Sequence, residues 1–370
     1  MFEPPYRAAV IGRTGRGDYG HGLDLAFLNE PKLKVVAVAD DTPKGLAQAA
    51  KRLNVDHAYA DYREMLDREK PQFVAVAPRW SDCHREMILA CAERGIHVFS
   101  EKPLAPTLAD ADAIVDACER SHVKLAIAFQ TRYSPRLERA RELIAAGAIG
   151  DVLEIRGRGK DERRGGGEDL MVLGSHIVDL FRAFLGDPAW CFARVTEGGK
   201  PAGPAQAHQA GEAIGPIAGD RIDAMYGFKS TPVVAHFATA RTRDPGGGRF
   251  GLQVFGSRGT IAMGTGWAAP TFLRDHPVWN GTVGGPKWAE ITSAGLGKPE
   301  PFTGNPATEG NRAIVADLIR AVETDTQPRA GVYDGRAATE MILACYASSN
   351  RNGPVNLPLS ERSKHPLEGV

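Results

Sequence analysis

Residues 9–22, AVIGRTGRGDYGHG, hold more glycines than one turn needs and can be read in two registers. Gly15, Gly17 and Gly20 spell G-x-G-x-x-G, yet the apolar run that should be the preceding strand stops at Ile11, directly before Gly12. A loop that cradles a dinucleotide has to follow its strand directly, because the pyrophosphate rests on amide groups that open the next helix. Only the register starting at Gly12 meets that demand. Gly12, Gly15 and Gly17, with Arg13, Thr14 and Arg16 between them, are therefore read as the phosphate loop, one residue longer between its first two glycines than the usual fingerprint. Gly20 and Gly22 then fall at the start of a helix expected over 18–29, where they permit close packing on a sheet. A glycine motif alone is equally a tight turn, so the surrounding chain has to decide.

Working outward, RAAVIG, LKVVAVAD, QFVAVAP, IHVFSEKP and VKLAIAFQ are short, β-branched-rich and apolar throughout, as strands buried on both faces are. Helical stretches near 44–53, 83–94 and 107–121 separate them, the last opening on Thr107 and Asp110 in capping spacing. This βαβ rhythm predicts an α/β Rossmann domain, a doubly wound parallel sheet, over residues 1–130. Beyond it, helices near 135–146 and 169–185 give way to alternating segments such as RIDAMYGF, PVVAHFATAR, RFGLQVFGS and GTIAMG. These predict a second, α+β domain over 131–350 with a large, mostly antiparallel open sheet. Two long loops, 197–220 and 264–305, two late helices near 307–323 and 334–349, and a tail over 351–370 complete the reading.

The composition sets limits on function. Lys plus Arg and Asp plus Glu both number 45, so the chain has no basic excess of the kind a general nucleic-acid or membrane-surface binder carries. No run of about 18 apolar residues is present, and no membrane span is expected. Cys83, Cys91, Cys118, Cys191 and Cys345 are odd in number, widely spaced and without a C-x-x-C pair. A reduced, cytoplasmic protein without structural zinc is the simpler expectation.

Asp40 closes the second expected strand, where an acid accepts hydrogen bonds from the hydroxyls of an adenosine ribose. A helix cap is the competing role. Asp41 follows it with no adjacent Arg or Lys, and two carboxylates repel a 2′-phosphate, so NAD is favoured over NADP.

HVFSEKPLAP (97–106) sets Glu101, Lys102 and Pro103 at the carboxyl end of a parallel strand, the edge where such sheets bind ligands. A lysine there donates to a substrate oxygen or exchanges a proton with it; a solvated loop lysine is the plain alternative. With the phosphate loop, the acid after the second strand and CHREMILACAERGIHVFSEKP (83–103), the chain resembles the Gfo/Idh/MocA family (glucose-fructose oxidoreductase, inositol dehydrogenase, rhizopine catabolism). The resemblance implies an NAD(P)-dependent oxidoreductase of sugars or polyols, with a second domain whose open sheet mediates homo-oligomerisation. Under it Lys102 matches the catalytic lysine, Glu101 helps position the nicotinamide, and His84 matches a recurrent histidine. AVAPRWSDCH (75–84) departs from the family's T-P-N-x-x-H, with Pro78, Arg79 and Trp80 instead; Trp80 stacks near the cofactor or fills the loop.

In the second domain RRGGGEDLMVLGSHIVDLFRAFLGDP (163–188) resembles the family helix that carries the catalytic histidine, which falls on His176, and a later acid, which falls on Asp179. The family's first acid is Val172 here, which removes a carboxylate one turn before the imidazole. Asp169, two turns before His176 on a continuous helix, is the substitute weighed for contact with substrate, against a charge that merely favours the helix N-terminus. Upstream, RGRGKDERRGGG (156–167) offers Arg158 and Lys160 as substrate-binding groups or as a solvated loop, its mixed charge suiting hydroxyl-rich or anionic sugars. Arg132 and Tyr133 open the second domain as further cleft candidates.

Three functions fit. The leading one oxidises a secondary hydroxyl of a sugar, glycoside or polyol, with Lys102 and His176 handling the proton. A redox-neutral enzyme recycles its NAD through a transient keto-sugar and cleaves a glycoside or eliminates a substituent. A non-catalytic NAD-binding sensor is the third.

Overall fold

The computed structural model describes residues 4–28, 30–243, 248–278, 285 and 287–368. By packing, the chain divides into two compact units: residues 1–130, 210–215 and 307–339 form the first, and 131–209, 216–306 and 340–370 the second. Among the described residues no helix is long and apolar enough to cross a membrane.

The first unit is built on β1 (Tyr6–Ile11), β2 (Leu33–Ala39), β3 (His57–Tyr59), β4 (Phe73–Val76), β5 (His97–Ser100) and β6 (Leu125–Ile127). All neighbours run parallel, in the order β3-β2-β1-β4-β5-β6. Ala8 to Ile11 and Phe73 to Val76 are at most 1% exposed, which is why these runs read as unbroken apolar stretches rather than alternating ones. The crossover helices are α1 (Pro43–Leu53), α2 (Tyr62–Glu69), α3 (His84–Ala92) and α4 (Leu108–Arg120), the last capped by Thr107 Oγ1 accepting from Asp110 N. The strand order reverses between β1 and β4, and the crevice outside the carboxyl ends there is where such sheets bind ligands. β3 and α2 escaped the sequence reading; HAY is too short and too exposed to register as a strand.

The helix expected over 18–29 is not there. Residues 22–28 form successive tight turns, with Leu25 N donating to Gly22 O, Ala26 N to Leu23 O and Leu28 N to Leu25 O. Gly15, Gly17, Gly20 and Gly22 all have positive φ, so the chain cannot enter a right-handed helix until it has passed them. Leu23, Ala26 and Phe27 still reach the core, at no more than 2% exposure. Asn29 lies outside the described residues.

The second unit begins with α5 (Pro135–Ala145), β7 (Val152–Arg158), α6 (Gly167–Val172), α7 (Gly174–Leu185) and β8 (Pro188–Glu197). Short β9 (Lys200–Pro201), β10 (His208–Gln209) and β11 (Pro216–Ile217) occupy the 197–220 segment, and residues 210–215 within it pack in the first unit, where Ser81 Oγ donates to Ala213 O. There follow β12 (Arg221–Phe228), β13 (Val234–Ala240), β14 (Gly251–Gly256), β15 (Thr260–Gly264), β16 (Thr271–Arg274), β17 (Ala289–Thr292) and β18 (Gly295–Leu296). Then come α8 (Pro306–Glu323), α9 (Val332–Arg351) and β19 (Val355–Asn356). The large sheet runs β18-β17-β16-β15-β14-β7-β13-β12-β8-β19, antiparallel throughout except where β13 pairs parallel with β7. Of the expected loop over 264–305, residues 279–284 and 286 lie outside the described residues; the remainder includes β16 to β18. Residues 307–339, grouped by sequence with the second domain, pack in the first unit.

Candidate functional site

Gly12 follows β1 immediately, and its N–H donates to Ala39 O at 2.9 Å. A Cβ on Gly12 would come within 2.1 Å of the Tyr19 ring, and one on Gly17 within 2.5 Å of the backbone nitrogens of Arg79 and Trp80, so both positions exclude a side chain. The loop amides, however, are directed inward. Arg13 N donates to Asp18 O, Thr14 N to Asp40, Gly15 N to Asp18 Oδ1 and Arg16 N to Arg13 O. The amide cradle expected at Gly12–Gly17 is therefore largely closed on itself, and the cations of the loop are what it presents. Arg16 lies 5.4 Å from the Trp80 ring centroid and pairs with Asp82; Arg13 pairs with Asp41 at 3.2 Å.

Asp40 departs from its expected part. It is 1% exposed, and its oxygens receive Thr14 N, Thr14 Oγ1 at 2.7 Å, Tyr19 Oη at 2.8 Å and Thr42 N at 2.9 Å. A carboxylate has about four lone-pair positions, so Asp40 has little capacity left for a ribose. Asp41, 53% exposed, lines with Gly12, Arg13 and Asp61 a cavity of about 250 Å³ at the ends of β1 and β2. Asp40 lines it too, as do Tyr62, Arg63 and Glu86, the last three not visible as site residues in the sequence. The glycines and the acids beside the cavity fit the adenosine half of a dinucleotide.

At the end of β5, Glu101 is 1% exposed. Its Oε1 meets His21 N at 3.1 Å and His21 Nδ1 at 2.6 Å, and its Oε2 accepts from Lys102 N at 2.8 Å. Burial raises this carboxyl, but the His21 hydrogen bond and the Lys102 and His21 charges outweigh it and bring its pKa down to about 2. Lys102 is 6% exposed and joined to Pro103 by a cis peptide. His84 fixes the same loop. Fully buried, it sets Nε2 2.7 Å from Pro78 O and Nδ1 3.0 Å from Pro103 O and 3.3 Å from Leu104 O, tying the segment after β4 to the one after β5. His84 thus touches the backbone that carries Lys102 rather than presenting a free nitrogen.

In the second unit the expected continuous helix over 169–185 is broken at Leu173, between α6 and α7. Leu173 keeps right-handed dihedrals, φ −108° and ψ −35°, and its N–H still donates to Asp169 O at 2.9 Å. Asp169 is 0% exposed; it accepts from Lys160 N at 3.2 Å and Asp161 N at 3.5 Å, and from Thr239 Oγ1. Burial raises its pKa, against those donors. The carboxylate expected to face substrate instead pins the turn after β7. Val172 is 5% exposed, and His176, near the start of α7, is half-buried with its ring edge-on to Phe250 at 6.4 Å between centroids. Arg132 and Asp179 are joined to each other, Nε to both carboxylate oxygens at 3.0 and 2.9 Å, with Asp179 2% exposed. Tyr133 is buried at 6% exposure. Arg158 and Lys160 remain partly exposed and pair with Asp161 and Glu162.

Comparison with known proteins adds the family context. Residues 6–129 match an oxidoreductase family with an NAD-binding Rossmann fold, and residues 137–262 match the GFO/IDH/MocA C-terminal domain. The chain is 29% identical over 203 residues to a levoglucosan dehydrogenase of Pseudarthrobacter phenanthrenivorans, covering 48% of this chain and 51% of the relative. It is 25% identical over 362 residues to the D-xylose 1-dehydrogenase (NADP(+)) 2 of Haloferax volcanii, covering 94% and 99%. The chain thus spans about half the length of several curated relatives it matches. A solved levoglucosan dehydrogenase in complex with NADH shares the fold at a TM-score of 0.74 and 21% identity, over 96% of this chain and 99% of that one.

Proposed function

Because the chain belongs to the Gfo/Idh/MocA oxidoreductase family, we propose that it oxidises a secondary hydroxyl of a sugar, glycoside or polyol with NAD as its cofactor. The observation that carries this reading is Lys102, buried at the ligand-binding edge of the parallel sheet and held there by Glu101 and the His84 clip. NAD, when bound, supplies the acceptor for the carbon-bound hydride. The protein's own work is then orientation and proton handling. Lys102 and His176 hold and remove the hydroxyl proton; Asp41 accepts from the ribose hydroxyls; Arg13 and Arg16 offset the pyrophosphate charge. The cavity wall sets four carboxylates, Asp40, Asp41, Asp61 and Glu86, against two arginines, Arg13 and Arg63, and that acidic excess supports NAD over NADP. Asp169 and the Arg132–Asp179 pair are assigned to shaping the second unit.

The reading includes a cytoplasmic homo-oligomer formed through the large sheet, on which Leu153 and Phe192 are 59% and 43% exposed; light scattering tests the assembly. The test of function is mass spectrometry of the bound cofactor, followed by a sugar and polyol panel monitored both for NADH and for product. NADH with a keto product supports the proposal. Product without net NADH identifies the redox-neutral reading, which Val172, standing in the sequence where the resemblance expects an acid, keeps in view. Bound NAD with no product identifies a sensor.

A further inference from the structure

His21 meets the buried Glu101 carboxylate twice through one oxygen. Its Nδ1 lies 2.6 Å and its backbone N 3.1 Å from Oε1. Glu101 is ionised and can only accept, so Nδ1 carries the proton. The approach depends on Gly20, because a Cβ there would stand 2.7 Å from Glu101 Oε1 and from Ala77 O. The His21 side chain is otherwise exposed, and the Nδ1 bond is what keeps its ring on the carboxylate.

The carbonyl of His21 is fixed by α8. Asn311 Nδ2 donates to His21 O at 3.1 Å, across 290 residues of sequence. A carbonyl only accepts, which sets the amide's orientation and turns Asn311 Oδ1 to Gln130 Nε2 at 2.7 Å. Asn311 is 1% exposed within a helix, where asparagine is a poor helix former and a buried amide needs partners at both ends. All these residues belong to the first unit. Contacts therefore run from Gln130 through Asn311, His21 and the two oxygens of Glu101 to the backbone N of Lys102, which donates at 2.8 Å. His84 meets the loop after Lys102, at Pro103 O and Leu104 O, whereas this chain of bonds ends on the N–H of Lys102 itself.

We propose that His21 and Asn311 are positioning residues for Lys102. Asn311 fixes His21, the two N–H groups of His21 fix the Glu101 carboxylate, and Glu101 fixes the backbone from which the Lys102 side chain starts. The inference rests on the oxidoreductase reading for the work Lys102 does, and one readout of its test needs no substrate.

Variants of the full chain separate the parts. His21→Ala removes the Nδ1 donor, and Asn311→Ala releases the His21 carbonyl. His21→Asn keeps a donor, because the asparagine Nδ2 stands as many bonds from Cβ as the histidine Nδ1. The readout without substrate is competitive labelling by trace acetic anhydride, with the rate at Lys102 measured by mass spectrometry against the exposed Lys44. Lys102, being buried, should label slowly in wild type. His21→Ala and Asn311→Ala should raise its rate roughly threefold or more, as local opening does, while the partly buried Lys124 keeps its rate. His21→Asn should restore most of the protection. On a sugar or polyol that the panel identifies, kcat should fall roughly tenfold or more in the same two alanine variants with little change in KM, the scale of a displaced catalytic group. His21→Asn should recover most of that loss too. The proposal is overturned if Lys102 keeps its wild-type rate in His21→Ala, or if Lys124 accelerates equally, which reports general loosening. It is also overturned if His21→Asn behaves as His21→Ala, which makes the imidazole itself the acting group. If Asn311→Ala does not fold, the two variants of the exposed His21 decide the outcome. Lost protection in a protein that oxidises no sugar or polyol would keep the clamp and remove the oxidoreductase reading; unaltered labelling with normal turnover would do the reverse.

Discussion

The Tyr19 hydroxyl donates to Asp40 Oδ2 at 2.8 Å and closes a ring of donors around the carboxylate that the sequence pattern assigns to a ribose. Burial and the bond to Asp40 both raise the tyrosine pKa, so the phenol stays a donor at any physiological pH. The consequence is a division of labour between adjacent acids. Both line the cavity, but Asp40 is buried and holds the glycine loop to the end of β2, whereas Asp41 is exposed.

Asp41→Ala should therefore weaken NAD binding by roughly tenfold, the loss of one charged hydrogen-bonding group, and narrow discrimination against NADP. Asp40→Ala should act on stability first, costing about 1–3 kcal/mol as buried donors are left unpaired. Calorimetry and thermal melts on both variants decide it. An Asp40→Ala protein that melts normally but no longer discriminates would return the ribose to Asp40.

Lys102→Ala should lose about 100- to 10,000-fold in turnover, the usual worth of a positioned proton-transfer group, with NAD affinity much less affected. Single-turnover absorbance at the NADH band measures it. Near-normal turnover would make Lys102 structural.

His84→Ala should lower stability by about 2 kcal/mol or more, because the buried segments carrying Pro78 O, Pro103 O and Leu104 O lose the imidazole packed between them and the one N–H it donates. The same variant should show a fall in kcat larger than any change in KM, since the loop it ties carries Lys102. A variant with unchanged melting temperature would show that the clip is dispensable.

Asp169→Ala should destabilise the second unit by about 1–3 kcal/mol, through Lys160 N, Asp161 N and Thr239 Oγ1 left without an acceptor. Its effect on the pH profile of turnover should be small. A displaced pH profile with an unchanged melting temperature would put Asp169 back at the substrate.

Glu101 supplies a pH dependence of stability. Its folded pKa of about 2 lies below the ordinary 4.5, so its stabilising contribution is present above about 4.5 and is lost as pH falls toward 2. Melting curves across that window should fall more steeply for wild type than for Glu101→Gln. Parallel curves would mean that the His21 and Lys102 contacts do not hold the carboxylate ionised.

The sequence by itself determined the parallel sheet, the end of its first strand directly before Gly12 and the position of Lys102 just beyond the carboxyl end of β5. These are local or strictly periodic properties: an apolar run long enough for a strand, a break beside it, a motif at a strand end. Only the tertiary structure decided what the acids do. Asp169 stands seven residues before His176, a spacing that suggests a common face, but its carboxylate is held by Thr239, 70 residues away. Asp40 closes the second strand, the place of a ribose-binding acid, but Tyr19 reaches it from a loop whose glycines have positive φ where a helix was expected. A carboxylate goes to the donors that surround it in space, and burial makes that pairing obligatory. Periodicity along the chain records which face a residue occupies and carries no information about which distant donor meets it there.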